Sequence, residues 1–261
     1  MNTLLTVSVF LYFLGTVKYL LFLGMKSRTT GLLATGMIAA GFVAETVGLG
    51  QRSALTGHGP YMNAFEQLLF GAWAVFGVFL LAELYFRIKP LGAFMAPVGF
   101  LLSLLAVVFS GQAGEGAVPV HSYWLTLHRA LSFVAFGAFS LTFAAGIMYL
   151  ILERQLKAKH FGAWYHRLPS LSQLDDANRI GLYVGVPIIT ISMVAASFWS
   201  AQHYGVYLKS DLSTILLLLA WGIFTVCLAG RVSRGWRGKR AAVMGVTGFA
   251  VVLVSLVKHL G

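Results

Sequence analysis

Two histidines stand at the ends of long apolar segments, where an imidazole could bind a metal ion. His128 lies in HSYWLTLHRALSF, four residues after Trp124, and His259 lies in SLVKHLG at the end of the last segment. Residues four apart share a helix face and lie about 6 Å apart along its axis. Two neutral imidazoles that approach one point from different helices could coordinate a haem iron from both sides. Alternatively, each histidine is an ordinary polar residue at a helix end, and the spacing alone leaves both interpretations open.

A second group of candidate residues lies in one short polar stretch, SFWSAQHYGVYLKSDLST. Its ring-bearing and acidic members are Trp199, His203, Tyr204, Tyr207 and Asp211. Flat side chains around a glycine could stack against a macrocycle. Aromatic residues are also common at membrane interfaces, where they anchor helices among lipid headgroups. Composition does not decide between these two roles.

The elements that must position these residues are membrane-spanning helices. The 261-residue chain is 58% hydrophobic and only 10% charged, which is too little polar surface for a soluble protein. A spanning helix needs roughly 20 mostly apolar residues. The sequence therefore predicts an all-α bundle of eight transmembrane helices, at about 3–23, 31–50, 64–86, 92–111, 124–152, 180–200, 212–230 and 240–259.

Positive charge alternates between the loops of this predicted bundle. The loops after the first, third, fifth and seventh segments are rich in Lys and Arg. Of the other three loops, the first carries Arg52, the second has no Lys or Arg between 112 and 123, and the third carries Lys209. Basic loops stay on the cytoplasmic side. We therefore expect a multi-pass protein of the cytoplasmic membrane with both termini outside. The net charge of +11 then faces anionic lipid at the cytoplasmic surface, and no nucleic acid is expected.

The remaining sequence features point to one domain that spans residues 1–261. The loop from Glu153 to Asn178 is the only one long enough to hold structure outside the membrane, as a short interfacial piece. The single Cys227 excludes a disulfide within one chain. A nucleotide-binding loop and a hydrolase constellation are both missing from the sequence, so ATP-driven export by this chain alone is unsupported and we assign no catalytic residue. Whether the chain takes part in an enzymatic system that attaches haem to cytochrome c stays open.

Residues 187–211, PIITISMVAASFWSAQHYGVYLKSD, resemble the tryptophan-rich motif of the CcsA, CcmC and HemX haem-handling superfamily. Trp199, Gly205, Tyr207 and Asp211 match that motif in register, and Tyr204 conservatively replaces its second tryptophan. Leu208 and Ser210 stand where further tryptophans are expected. The segments YMNAFEQLLFGAWAVF, LGAFMAPVGFLL, YWLTLHRALSFVAFGAF, YLILERQLK with LPSLSQLD, and GWRGKRAAVMGVTGF extend the resemblance over nearly the whole chain, closest to the HemX-like or YpjD-like branch.

The resemblance implies non-covalent binding of haem b at the outer membrane face and its delivery for cytochrome c assembly. It carries the axial-ligand role to His128, with His259 as the candidate second ligand and His203 as the fallback. Trp124 and the motif loop would pack on the macrocycle. Negatively charged propionates would find cations at this interface, and those available are Arg129, Lys209 and Lys258. The bases at 129 and 258 could equally snorkel to the membrane surface.

One departure from the family bears on the number of haems. In CcsA-type proteins a histidine follows the motif within the membrane, and Ala229 stands at that position here. We therefore expect no second haem in the core of this chain.

Three functional hypotheses follow from the resemblance. The chain could be a cytochrome c assembly protein that works with an apocytochrome c or a partner of the CcsB or ResB type. It could instead be a HemX-type regulator of haem synthesis, or a membrane subunit that carries haem for electron transfer. Bound haem separates the first and third from a haem-free second, and covalent transfer to a CxxCH-bearing partner separates the first from the third.

Overall fold

The computed structural model is all-helical in the part it describes. It describes residues 3–25, 27–110, 122–159, 162 and 165–260, and of residues 257–260 the backbone alone. Eight helices there are long and apolar enough to cross a membrane. This confirms the predicted fold class and a multi-pass membrane protein. An even number of spans returns the chain to its starting side, while the outside position of both termini stays a prediction.

The helices fall into two compact units, Met1–His121 and Ser122–Gly261. The prediction of one domain over 1–261 stays a prediction. The first unit holds α1 (Thr3–Met25), α2 (Arg28–Thr56), α3 (Ala64–Phe86), a 3₁₀ turn at Lys89–Leu91 and α4 (Gly92–Val108). The second holds α5 (Tyr123–Lys157), α6 (Leu171–Tyr204), α7 (Leu212–Arg234) and α8 (Lys239–Leu260).

Helix ends in both units are set by local hydrogen-bond chemistry. Asn63 caps α3 by accepting from the amide of Glu66, and Asp211 caps α7 by accepting from the amide of Thr214. Side-chain oxygens at these positions satisfy amides that have no partner inside the helix. Gly205 ends α6 at φ 73°, in the left-handed region that glycine adopts without steric cost.

The second unit carries the candidate site, and α5 and α6 pack along each other at its centre. α8 packs against α5 and α7, and α7 also contacts α6. Phe139 and Phe224 stack with ring centroids 3.8 Å apart in this core. The packing holds the N-terminal part of α5 beside the C-terminal part of α6.

α6 extends further at its N-terminus than the sequence indicated, since it begins at Leu171 and not near 180. The polar residues from Leu171 to Asn178, expected in an interfacial loop, form its first two turns. Ser170 and Gln173 make a capping box there. Asp175 on these turns binds Arg231 of α7 through two hydrogen bonds of 2.8 and 3.1 Å. A partner distant in sequence therefore stabilises a helical segment that lacks an apolar pattern.

Candidate functional site

His128 lies on α5 against Ser192 of α6. Its Nδ1 is 2.9 Å from the Ser192 hydroxyl and 3.1 Å from the Ser192 carbonyl oxygen. Ser192 is fully buried, and its hydroxyl donates back to the carbonyl oxygen of His128 at 2.9 Å. The Ser132 hydroxyl lies 2.7 Å from that of Ser192. The imidazole is thus held by a small serine network between two packed helices.

This network sets the tautomer of the neutral His128 ring. The single hydrogen of the Ser192 hydroxyl is used on the His128 carbonyl, and the Ser192 carbonyl can only accept. The carbonyl oxygen at 3.1 Å therefore favours the tautomer in which Nδ1 carries the hydrogen and donates it to Ser192. The lone pair that can bind a metal is then on Nε2. Metal-binding histidines are commonly oriented in this way, through a hydrogen bond from their other ring nitrogen.

Trp124, one turn before His128 on α5, joins the histidine to the aromatic end of α6. Its ring stacks on that of Phe198 with centroids 4.8 Å apart. On α6, Trp199 follows Ser192 by seven residues. Two helical turns place it on the same face, about 10 Å further along the axis. The structure therefore brings the predicted residues Trp124, His128 and Trp199 to one side of the α5–α6 pair.

Trp199 is the centre of an aromatic cluster at the end of α6. Its ring stacks on His203 with centroids 5.3 Å apart and planes 12° apart, and Tyr204 meets both rings edge-on. The Trp199 indole nitrogen is buried and finds no hydrogen-bond acceptor within the described part of the chain. An unsatisfied buried donor typically costs about 1–3 kcal/mol. An acceptor on a bound ligand, such as a carboxylate, would remove that cost.

The loop after α6 exposes its aromatic residues. Tyr207 is 67% exposed, and the ammonium of Lys209 lies 4.3 Å from the ring centroid of Tyr204. Asp211, the last residue of the loop, caps α7, so its motif position has a clear structural role. A flat, partly cationic surface is therefore presented beside the Trp199 cluster. These residue types suit a planar aromatic ligand with acidic substituents, and the donor set fits haem.

Three further predicted residues have less defined surroundings. Arg129 is half-buried on α5 next to His128. The backbone of α8 continues to Leu260, but the side chains of His259 and Lys258 lie outside what the structure describes. Ser255, one turn before His259, donates to the carbonyl of Ser213 at 3.2 Å. Position 259 is therefore at the same end of the second unit as the motif loop, and its role as a ligand stays a prediction.

Ala229, the position of the missing intramembrane histidine, is exposed on α7. Its carbonyl accepts from the hydroxyl of Ser233 at 2.7 Å. The described contacts around Ala229 are therefore those of an ordinary helix.

Sequence reasoning missed the ion pair of the first unit. Glu66 is fully buried and accepts from Arg52 at 2.6 Å and from the amide of Met62 at 2.8 Å. His58 lies 3.9 Å from the same carboxylate. The available indication was that Arg52 is the only Lys or Arg between the second and third apolar segments and precedes Glu66 by fourteen residues.

The chain matches the family model described as cytochrome C assembly protein over residues 61–258. It is 25% identical to the cytochrome c biogenesis protein CcsA of Microcystis aeruginosa over 86% of this chain and 83% of that protein. It is 25% identical to protein HemX of Bacillus subtilis over 95% of this chain and 91% of that protein, and 26% identical to HemX of Brevibacillus brevis over 95% and 92%. With well over half of its length matched by the family model, the chain belongs to the cytochrome c assembly protein family.

Proposed function

We propose that this protein binds haem b non-covalently at the outer face of the cytoplasmic membrane and presents it for cytochrome c assembly. The observation that carries the proposal is the fixed orientation of His128. Because Ser192 accepts the Nδ1 hydrogen, the metal-binding lone pair is on Nε2 before any ligand arrives. When bound, haem would supply an iron that accepts histidine nitrogens as ligands.

The residues around His128 have distinct proposed tasks. His128 would hold the haem iron through Nε2, and His259 would be the second ligand, with His203 as the alternative. Trp124, which stacks on Phe198, would form the apolar side of the haem site. These assignments leave the chain to bind and orient the haem, with no bond-forming step of its own.

The aromatic cluster and its cations would hold the rest of the macrocycle. Trp199, Tyr204 and Tyr207 offer ring surfaces, and the buried indole hydrogen of Trp199 has no acceptor among the described residues. Arg129 and Lys209 are the cations proposed for the propionates, because charge-assisted hydrogen bonds to carboxylates are stronger than neutral ones. Asp211 would fix the end of the loop, because its side chain caps α7.

Three partners complete this proposal. An apocytochrome c would receive the haem, with or through a membrane protein of the CcsB or ResB type. Anionic lipid would face the basic cytoplasmic loops, because cationic segments next to the membrane attract it. Haem itself is the small-molecule ligand.

A HemX-type role in regulating haem synthesis is the second candidate. It is supported by the HemX relatives, which align over 95% of this chain. The CcsA protein of Guillardia theta aligns over 96%, so coverage alone does not separate the two roles. A regulator of this kind would not need to hold haem stably.

The absorption spectrum of the purified full-length chain, oxidised and reduced, tests the proposal. We expect a haem b spectrum that is largely lost in His128→Ala and retained in the control His166→Ala, since His166 is exposed at the other end of the second unit. A His128→Ala protein with normal haem content would refute the ligand assignment. Covalent transfer of haem to an apocytochrome then separates an assembly protein from an electron-transfer subunit.

A further inference from the structure

The second unit contains a cavity at the end opposite to His128. It measures about 550 Å³ and lies where α5 ends and where α6 and α8 begin. Charged side chains dominate its lining, together with one tyrosine. The lining residues that matter here are Tyr149, Asp175, Asp176, Arg179, Arg237 and Lys239.

The two acidic residues of the cavity are already paired within the protein. Asp175 accepts two hydrogen bonds from the buried guanidinium of Arg231 and a third from the amide of Gly238 at 2.9 Å. Asp176 lies 3.0 Å from Arg179. Each carboxylate therefore has a cation of its own.

Two cations of the lining are left over. Within the described residues, neither Arg237 nor Lys239 has a carboxylate within 4.0 Å. Both are exposed and face the same cavity. The cavity therefore carries an excess of positive charge that the protein itself does not neutralise.

The loop that carries Arg237 is fixed on both sides. On one side, Trp236 packs so closely on Gly230 that a Cβ there would lie 2.3 Å from the indole ring. On the other, Gly238 adopts φ 67° and lies against Tyr149, where a Cβ would come within 2.7 Å of the hydroxyl. The backbone of Arg237 is thus held between two sites where a Cβ would clash, so the loop keeps the Arg237 side chain beside the cavity.

We propose that this cavity binds a phosphate group. A phosphate offers several acceptor oxygens and negative charge to a guanidinium and an ammonium, the combination that Arg and Lys recognise. The phosphate could come from an anionic phospholipid or from a soluble phosphate compound. The site is independent of haem binding. If its ligand is a lipid, the contact with anionic lipid proposed above is assigned to this cavity.

Thermal unfolding of the full-length chain in nanodiscs tests the site. One set of nanodiscs contains phosphatidylcholine alone, one adds phosphatidylglycerol, and one contains phosphatidylcholine with inorganic phosphate in the buffer. Retention of phosphatidylglycerol by native mass spectrometry gives a second readout. The variants are Arg237→Gln and Lys239→Gln, with Arg234→Gln as the matched control, because it removes the same charge near the same loop but does not line the cavity.

We expect Arg237→Gln and Lys239→Gln each to weaken phosphate or phosphatidylglycerol binding roughly fivefold, and Arg234→Gln to leave it unchanged. Asp176→Asn should strengthen binding, because it removes a negative charge from the lining and frees Arg179. Dependence on phosphatidylglycerol alone would identify a lipid ligand, and a response to inorganic phosphate would identify a soluble one.

Equal effects of all three charge-removing variants would overturn the proposal, because they would indicate diffuse attraction to the membrane surface. No stabilisation by either probe would also overturn it. Neither result would bear on the haem proposal, which is tested separately by the absorption spectrum and the His128→Ala variant.

Discussion

Replacement of Ser192 by alanine tests whether the serine network prepares His128 for metal binding. The change removes the 2.9 Å contact of the hydroxyl with Nδ1 and its 2.7 Å contact with Ser132. It keeps the Ser192 carbonyl, which remains 3.1 Å from Nδ1. The imidazole therefore loses one of its two acceptors on Ser192 and retains the other.

The retained carbonyl sets the size of the expected effect. Loss of a group that orients a metal-binding histidine typically weakens metal affinity 10- to 100-fold. Because the tautomer survives in Ser192→Ala, we expect the lower end, about tenfold, or about 1.4 kcal/mol in binding free energy. Loss of the serine hydrogen bonds should also lower the free energy of unfolding by about 1–2 kcal/mol.

Haem titration of the apoprotein, followed by absorption, measures the first effect, and thermal unfolding measures the second. Ser197→Ala is the matched control on the same helix, since among the described residues its hydroxyl bonds only the Met193 carbonyl, at 3.1 Å. Equal haem affinity in Ser192→Ala and Ser197→Ala, combined with haem loss in His128→Ala, would refute the orienting role of Ser192. A purely structural role would change unfolding without changing haem affinity.

Three further predictions follow from the topology, from the family resemblance and from the ion pair between Asp175 and Arg231. Cysteine introduced at Gln202 should react with an impermeant reagent from outside intact cells and cysteine at Ala158 should not; labelling at 158 would reverse the orientation. Since the resemblance places Ala229 where CcsA-type proteins carry a histidine, haem quantification should give at most one haem per chain, and two would contradict the alignment there. Asp175→Ala should lower the free energy of unfolding by about 3–5 kcal/mol, because it leaves Arg231 buried without its carboxylate. Asp176→Ala is its control in thermal unfolding, because that carboxylate is half-exposed, and an equal loss in the control would disprove the buried-pair argument.

The number and course of the helices could be predicted because membrane spans are long apolar runs. The segment predicted at 64–86 coincides with α3, and the first, predicted at 3–23, ends two residues later at Met25. The start of α6 could not be predicted in this way. Its polar first turns are helical because Arg231, 56 positions away, binds Asp175, and such a partner is invisible to hydropathy.

The residues of the candidate site could be proposed from the sequence, whereas the contacts between them could not. His128, Trp124 and Trp199 could be chosen from residue type and position near helix ends. Ser192 could not, because its bond to His128 joins positions 64 residues apart and depends on the register between α5 and α6. Glu45 is a similar case, since its bond to Tyr12, at 2.6 Å, crosses from α2 to α1.

The division into two units of four helices has a consequence for how the chain can be assembled. Each unit contains an even number of spans, α1 to α4 in Met1–His121 and α5 to α8 in Ser122–Gly261. Each half therefore begins and ends on the same side of the membrane. If the gene were split between the two units, both polypeptides would insert with the orientation they have in the intact protein. The second fragment would still contain His128, Ser192 and the whole motif loop.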